Sequence, residues 1–218
     1  MTPEAFVAEL DAANAAALAR IADKSSAGDA PDDLTVSKLL LLALKNEIEA
    51  TECAAHWLST TAEVKVKLAL ARQAGDEAKH YRLIQDRLSE LGVVTTTYEP
   101  LAQGRSPLLQ YLLTLEGTVT RVAAGQFTRE ALAVVRNAEF VKFCRARGDD
   151  ATADLYENVI QPDEGHHHDL GRRLLLELAT DAGAQAEARR ASARVLELAE
   201  EVQEIARLKL GISRAPGC

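Results

Sequence analysis

The sequence predicts an all-α protein: a four-helix bundle with one long crossover, flanked by an extra N-terminal and an extra C-terminal helix. Three observations predict it. The 218 residues are rich in Ala and Leu, and only 4% are aromatic, a balance that favours helices over sheets. Apolar residues recur every three or four positions through segments far longer than strands. One motif, Asp-Glu-x-x-His, occurs twice in equivalent places.

The elements follow in order. Residues 3–23 form the first helix: Thr2 can cap it, Pro3 suits its first turn, and Phe6, Leu10, Ala13, Ala17 and Ile21 make one stripe. Lys24 to Asp33 is a loop rich in Gly, Ser, Asp and Pro. Two long helices follow, about 35–60 and 62–91, the second ending before Gly92. Residues 93–106, with β-branched side chains, Pro100 and Gly104, form the crossover. A third long helix runs from Pro107 to about Arg147. Gly148-Asp149-Asp150 turns the chain into a fourth, about 151–180. A last helix, 184–210, carries Val195, Leu198, Val202, Ile205 and Leu208 on one side, and residues 211–218 fray. The whole chain, 1–218, reads as one domain whose bundle core spans about 35–180.

Charge and composition exclude several classes. A net charge of −8 argues against a phosphate-binding surface, and so against nucleic acid as a partner. No stretch of eighteen apolar residues exists, and the N-terminus lacks the features of a secretion signal. Cys53, Cys144 and Cys218 fit two buried thiols and one terminal thiol in a reducing compartment, which makes the expected location cytoplasmic.

The chemistry lies in Asp76-Glu77-Ala78-Lys79-His80 and Asp163-Glu164-Gly165-His166-His167. Residues three apart on a helix point about 60° apart, so each Glu and His share a face and can grip one metal ion. With 20 Glu and 5 His in 218 residues, about 0.5 such spacings arise by chance, so a pair with Asp before Glu both times is informative. Two such turns leave a two-metal site short of two carboxylates. Antiparallel neighbours meet at one level when they lie equally far from their connecting turn. That places the partner of Glu164 at Glu130 and the partner of Glu77 near residue 47. Leu40, Leu44, Glu47, Thr51, Ala54 and Leu58 follow a buried stripe, whereas Glu49 aligns with Lys45, Glu52 and His56 on a solvated face. Glu47 is therefore the expected ligand and Glu49 its substitute. Glu130 likewise interrupts the stripe Ala123, Phe127, Val134 and Val141. Buried opposed carboxylates repel and destabilise a fold, a conflict that two divalent cations resolve.

Taken together, Glu47, Glu77-x-x-His80, Glu130 and Glu164-x-x-His167 resemble the ferritin-like superfamily of di-iron carboxylate proteins, and within it the oxygenase or hydroxylase-like branch. The resemblance covers residues 35–180. It implies two iron ions, with manganese or a mixed manganese–iron pair as the alternative. Glu77 and Glu164 would bridge the ions, Glu47 and Glu130 would bind terminally or bridge, and His80 and His167 would supply one nitrogen to each. It also implies that Asp76 orients His167 and Asp163 orients His80, each across the bundle.

Pro162, two residues before Glu164, should kink or bulge the fourth helix and widen a pocket there. His166 and His168 lack the ligand spacing and belong on the surface or around the site. Tyr81 and Tyr156 are expected to pack in the core with a wet hydroxyl. The resulting expectation is a di-iron oxidoreductase that activates O2 on an organic substrate. A ferroxidase or iron-handling protein and a dimanganese catalase are the alternatives. Expected partners are a small-molecule substrate, O2 or peroxide, an electron-donor protein and a second copy of the chain in a homodimer, without a membrane.

Overall fold

The computed structural model describes residues 1–26, 34–102, 104–210 and 216–217, with the side chains of 24–26, 207, 209 and 210 left aside. The regular structure of the described residues is entirely helical, without a strand. Helix α1 spans Pro3–Ser26, α2 Val36–Thr60 and α3 Val64–Glu90. Irregular chain then leads to α4, Pro107–Leu112, and a break separates it from α5, Thr118–Val122. The α5 helix continues through a π-helical segment, Ala123–Arg129, into α6, Glu130–Ala146. Next, α7, Asp150–Leu155, continues through a second π-helical segment, Tyr156–Ile160, into α8, Gln161–Leu178. Helix α9 spans Ala182–Leu210.

Local chemistry sets these boundaries. Thr35 caps α2 by accepting the Lys38 N–H at 3.2 Å, and Ser106 caps α4 by accepting that of Leu109 at 3.1 Å. Between α6 and α7, Gly148 takes φ of 72°, a left-handed conformation that suits glycine. Asp149 then caps α7, accepting from the Thr152 N–H at 3.0 Å and from its hydroxyl at 2.8 Å.

Three expectations need correction. The predicted helix from Pro107 to Arg147 is broken at residues 113–117, and Gly117, a poor helix former, stands at the N-cap where α5 restarts. Arg121 seals the break by donating to the Leu115 carbonyl at 2.8 Å. The chain end does not simply fray. Pro216 and Gly217 are buried, with Asn46 Nδ2 donating to the Pro216 carbonyl and the Gly217 N–H donating to Asn137 Oδ1, both at 2.8 Å. Glu49 is not solvated: it is 4% exposed and accepts from the Ser106 N–H at 2.7 Å and the Ser106 hydroxyl at 2.5 Å. Residues 27–33 of the predicted loop, and 211–215 and Cys218 of the predicted frayed end, lie outside the described residues.

The bulge expected from Pro162 is present as the Tyr156–Ile160 segment directly before it. Proline has no N–H to offer the carbonyl one turn back, and its ring would clash with that carbonyl in a regular turn; widening the turn avoids the clash.

The core is layered. One apolar cluster gathers Trp57 of α2, Leu70 of α3, Phe127 and Leu175. A second gathers Leu44 of α2, Ile84 of α3, Phe140 of α6 and Tyr156. The α2, α3, α5–α6 and α7–α8 segments each pass through both clusters. Between them, α2 contributes Glu47, α3 contributes Gln73, Glu77 and His80, α6 contributes Glu130, and α8 contributes Glu164 and His167, all buried. Helices α1 and α9 pack together outside, α9 against the Ala123–Arg129 segment. There Asn14, Thr128 and Ser192 close a buried ring of hydrogen bonds of 2.6–2.9 Å.

Helix α8 meets the first π segment at Gly171, where a Cβ would lie 2.6 Å from the Gln126 carbonyl carbon and 2.7 Å from the Phe127 nitrogen. Gly75, by contrast, faces open space on α3. Gly171→Ala should therefore destabilise the protein by about 1–3 kcal/mol through overpacking. Gly75→Ala should stabilise it by about 0.5–1 kcal/mol through helix propensity. Urea midpoints of the two variants check the pair; equal shifts would contradict the close approach.

Candidate metal centre

The four segments bring all six expected ligand residues into the layer. Glu47, Glu77, His80 and Glu164 form one group, and Glu77, Glu130, Glu164 and His167 another, each with donor atoms within 4.8 Å of one another. Glu77 and Glu164 belong to both groups. Glu77 turns Oε2 toward His80 Nδ1 at 3.4 Å and Oε1 toward His167 Nδ1 at 3.9 Å. Glu164 turns Oε1 toward His80 Nδ1 at 4.0 Å and Oε2 toward His167 Nδ1 at 3.6 Å. Glu47 Oε2 faces His80 Nδ1 at 3.4 Å, and Glu130 Oε2 faces His167 Nδ1 at 3.7 Å.

Both imidazoles are held from behind. His80 Nε2 lies 3.1 Å from Asp163 Oδ2, and His167 Nε2 lies 3.1 Å from Asp76 Oδ2. The two Asp thus sit where the resemblance implies, each crossing to the other motif's histidine. An Asp on Nε2 keeps the proton of a neutral imidazole there and leaves the Nδ1 lone pair aimed into the cluster. Each Asp is anchored in turn by a cation on α3: Lys79 Nζ at 2.5 Å on Asp163 and Arg72 Nε at 3.2 Å on Asp76. Burial works against the ionised Asp163, but Lys79 and His80 outweigh it and hold its carboxyl below the usual range.

The inward-facing atoms lack hydrogen-bond partners. Glu47 Oε2, Glu130 Oε2, Glu164 Oε2, His80 Nδ1 and His167 Nδ1 are all buried and unsatisfied. Leaving buried polar atoms unpaired costs about 1–3 kcal/mol each, more if charged. Five such atoms, divided between the two groups, fit a metal cation in each.

The electrostatics of the metal-free layer are severe. Burial raises Glu47 to about 7, only partly opposed by His80. Burial together with Glu77 and Glu130 raises Glu164 well above the usual carboxylate range. Glu130 differs: burial would raise it too, but His167 and Arg129 outweigh burial and hold it at about 2. Burial alone would lower both imidazoles. The facing carboxylates of Glu47 and Glu77 instead raise His80 to about 12, and those of Glu130 and Glu164 raise His167 to about 11.

The other sequence candidates separate cleanly. Glu49 is no member of the cluster; it binds Ser106 and steadies α4 against α2. His56 is exposed and Trp57 buried, as their residue types suggest. His166 is half-buried. His168 holds the first π segment: its Nδ1 donates to the Phe127 carbonyl at 2.7 Å and its ring stacks on Phe127 at 4.8 Å. Tyr156 departs from expectation, because its ring and hydroxyl are wholly buried and the hydroxyl has no hydrogen-bond partner. A groove of about 520 Å³ runs between α1 and α9, away from Pro162 and His167. Sequence reasoning missed Gln73 and Arg129, both buried against Glu130. A Gln four residues before Glu77 was the available signal for the first; none pointed to the second.

No protein-family model matches the chain, and neither a curated protein nor a solved structure matches it significantly.

Two outcomes follow from the cluster. Metal ions bind deprotonated ligands, while His80 and His167 hold protons up to about 11–12 in the metal-free protein. Loading with Zn(II) or Mn(II) near pH 7 should release at least two protons per chain, one from each imidazole and the rest from the raised Glu164 and Glu47, and each affinity should tighten roughly tenfold per pH unit for each proton released. Calorimetry in buffers of different ionisation enthalpy reads the proton count, and zero release would refute the assignment. Second, Glu47→Leu should stabilise the metal-free protein by about 1 kcal/mol, since it removes a repelling buried carboxylate, while weakening metal-induced stabilisation. Melting curves with and without metal check both signs.

Proposed function

We propose that the chain is a ferritin-like four-helix bundle and a di-iron carboxylate oxidoreductase that activates O2 for reaction with a small organic substrate. In this reading α2, α3, the α5–α6 segment and the α7–α8 segment are the four helices, and the chain between α3 and α4 is the crossover. The carrying observation is that Glu77 and Glu164 each direct one oxygen to His80 and the other to His167. So placed, each of the two carboxylates could be shared between two ions. Glu47 with His80 would complete one ion, and Glu130 with His167 the other.

The donor set supports iron. Hard carboxylate oxygens with one imidazole per ion, and no thiolate in either group, suit iron or manganese better than a structural zinc. Four carboxylates and two divalent ions are together neutral, which removes the repulsion that burial otherwise imposes. Bound iron supplies the electrons for O2 chemistry. The chain's own residues place the donors, hold the imidazole tautomers through Asp76 and Asp163, and keep bulk water out with the two apolar clusters. An electron-donor protein would return the centre to its reduced form.

Anaerobic reloading of the stripped protein with Fe(II) tests the proposal. Two irons per chain, O2 uptake on exposure to air and a new near-ultraviolet absorption band are the expected results, all lost in Glu77→Ala/Glu164→Ala. A two-iron protein that consumes no O2 would sink the reading. Peroxide disproportionation by the manganese-loaded protein, or a closed multi-subunit shell filling with iron, would redirect it to a catalase or an iron store.

A further inference from the structure

The two halves of the carboxylate layer come from a repeated motif, yet one residue outside the motif makes them different. Gln73 lies four residues before Glu77, one turn earlier on the same face of α3, and is 4% exposed. Its Nε2 donates to Glu130 Oε1 at 2.6 Å and to Glu77 Oε1 at 3.3 Å. The position four residues before Glu164 is Ile160, which is fully buried and can donate nothing from its side chain. Arg129 adds a second donor to Glu130 Oε1 at 3.3 Å. One oxygen of Glu130 is thereby occupied, and Oε2 alone stays unsatisfied, facing His167. Glu47, the counterpart of Glu130, receives no side-chain amide or guanidinium among the described residues, and its Oε2 is likewise unsatisfied.

We propose that Gln73 is a positioning residue that makes the two metal positions unequal, by limiting Glu130 to one donor oxygen at the His167 position while Glu47 has no such amide donor at the His80 position. This rests on the di-metal reading of the site. A carboxylate already pinned by an amide gives up little side-chain freedom when an ion arrives, so the His167 position fills first. The His80 position fills second, and there Glu47, with no amide holding it, keeps more freedom to shift its carboxylate. The changeable coordination, and with it the place where an exogenous molecule meets the centre, belongs to the His80 half.

Titration of the metal-free protein with Mn(II) tests this without any turnover. Electron paramagnetic resonance distinguishes free Mn(II), a single bound ion and a spin-coupled pair. The native chain should fill in two resolved steps, with the coupled signal growing only in the second. Gln73→Met keeps the length and removes the donor. Gln73→Asn keeps an amide but withdraws it by one methylene, and serves if the first variant does not fold. In either, the first step should weaken by about 10–100-fold, the range typical for lost outer hydrogen bonds, and the two steps should merge. A lowered melting temperature with both steps unchanged would mean that Gln73 only satisfies a buried carboxylate, and would overturn the proposal while leaving the di-metal reading intact. A native chain that binds no Mn(II) would overturn both.

Discussion

Four carboxylates and two imidazoles share one dry layer in the middle of this protein, and the rest of the structure answers to that constraint. Glu47, Glu77, Glu130 and Glu164 come from four separate helical segments and are at most 3% exposed. Charges so buried cost several kcal/mol each unless compensated. Compensation extends outward in alternating sign: carboxylate, imidazole, then Asp163 or Asp76, then Lys79 or Arg72 near the surface. Each step places a charge beside its opposite and moves closer to water, where charge is cheap. The apolar clusters on both sides give the layer its low dielectric, and hence its power to shift the ionisation of every group in it.

The same constraint accounts for where the helices are irregular. Both π-helical segments end at the entry to the layer, one at Arg129 just before Glu130 and the other at Ile160 shortly before Glu164. A π turn leaves the backbone short of regular partners. At the first, His168 takes up the Phe127 carbonyl, and Gly171 lets α8 lie directly on the Gln126 and Phe127 backbone. Thr128, in the same segment, is held from the other side by Asn14 and Ser192. The outer helices α1 and α9 therefore do more than cover apolar surface; they brace the segment that presents Glu130.

The repeated motif makes the centre nearly symmetric, and its surroundings break that symmetry. Gln73 and Arg129 gather on Glu130, while Ile160 and the unpartnered Tyr156 hydroxyl stand on the side of Glu47 and Glu164. The different ionisation of Glu47 and Glu130 in the metal-free protein fits this: each faces an imidazole, His167 for Glu130 and His80 for Glu47, but Arg129 also favours the charged form of Glu130, and no guanidinium among the described residues does so for Glu47.

Much of this was legible in the sequence, because helix geometry is local. A period near 3.6 reveals long amphipathic helices, i to i+3 spacing puts Glu beside His, and equal distance from a turn sets Glu130 against Glu164. The crossing of each Asp to the other motif's histidine came only from the family resemblance, not from helix geometry. What the sequence could not determine depends on contacts between distant segments. Glu49 reads as solvated by periodicity, yet Ser106, 57 residues away, buries it. The first π segment carries no proline to announce it and exists where Gly171 brings α8 against its backbone. Gln73 looks like any helical glutamine until α6 lays Glu130 across it at 2.6 Å. The sequence by itself determined which residues could form the cluster, since those rules act within a turn or two of helix; only the tertiary structure decided which oxygen each carboxylate leaves free, since that depends on donors arriving from other helices.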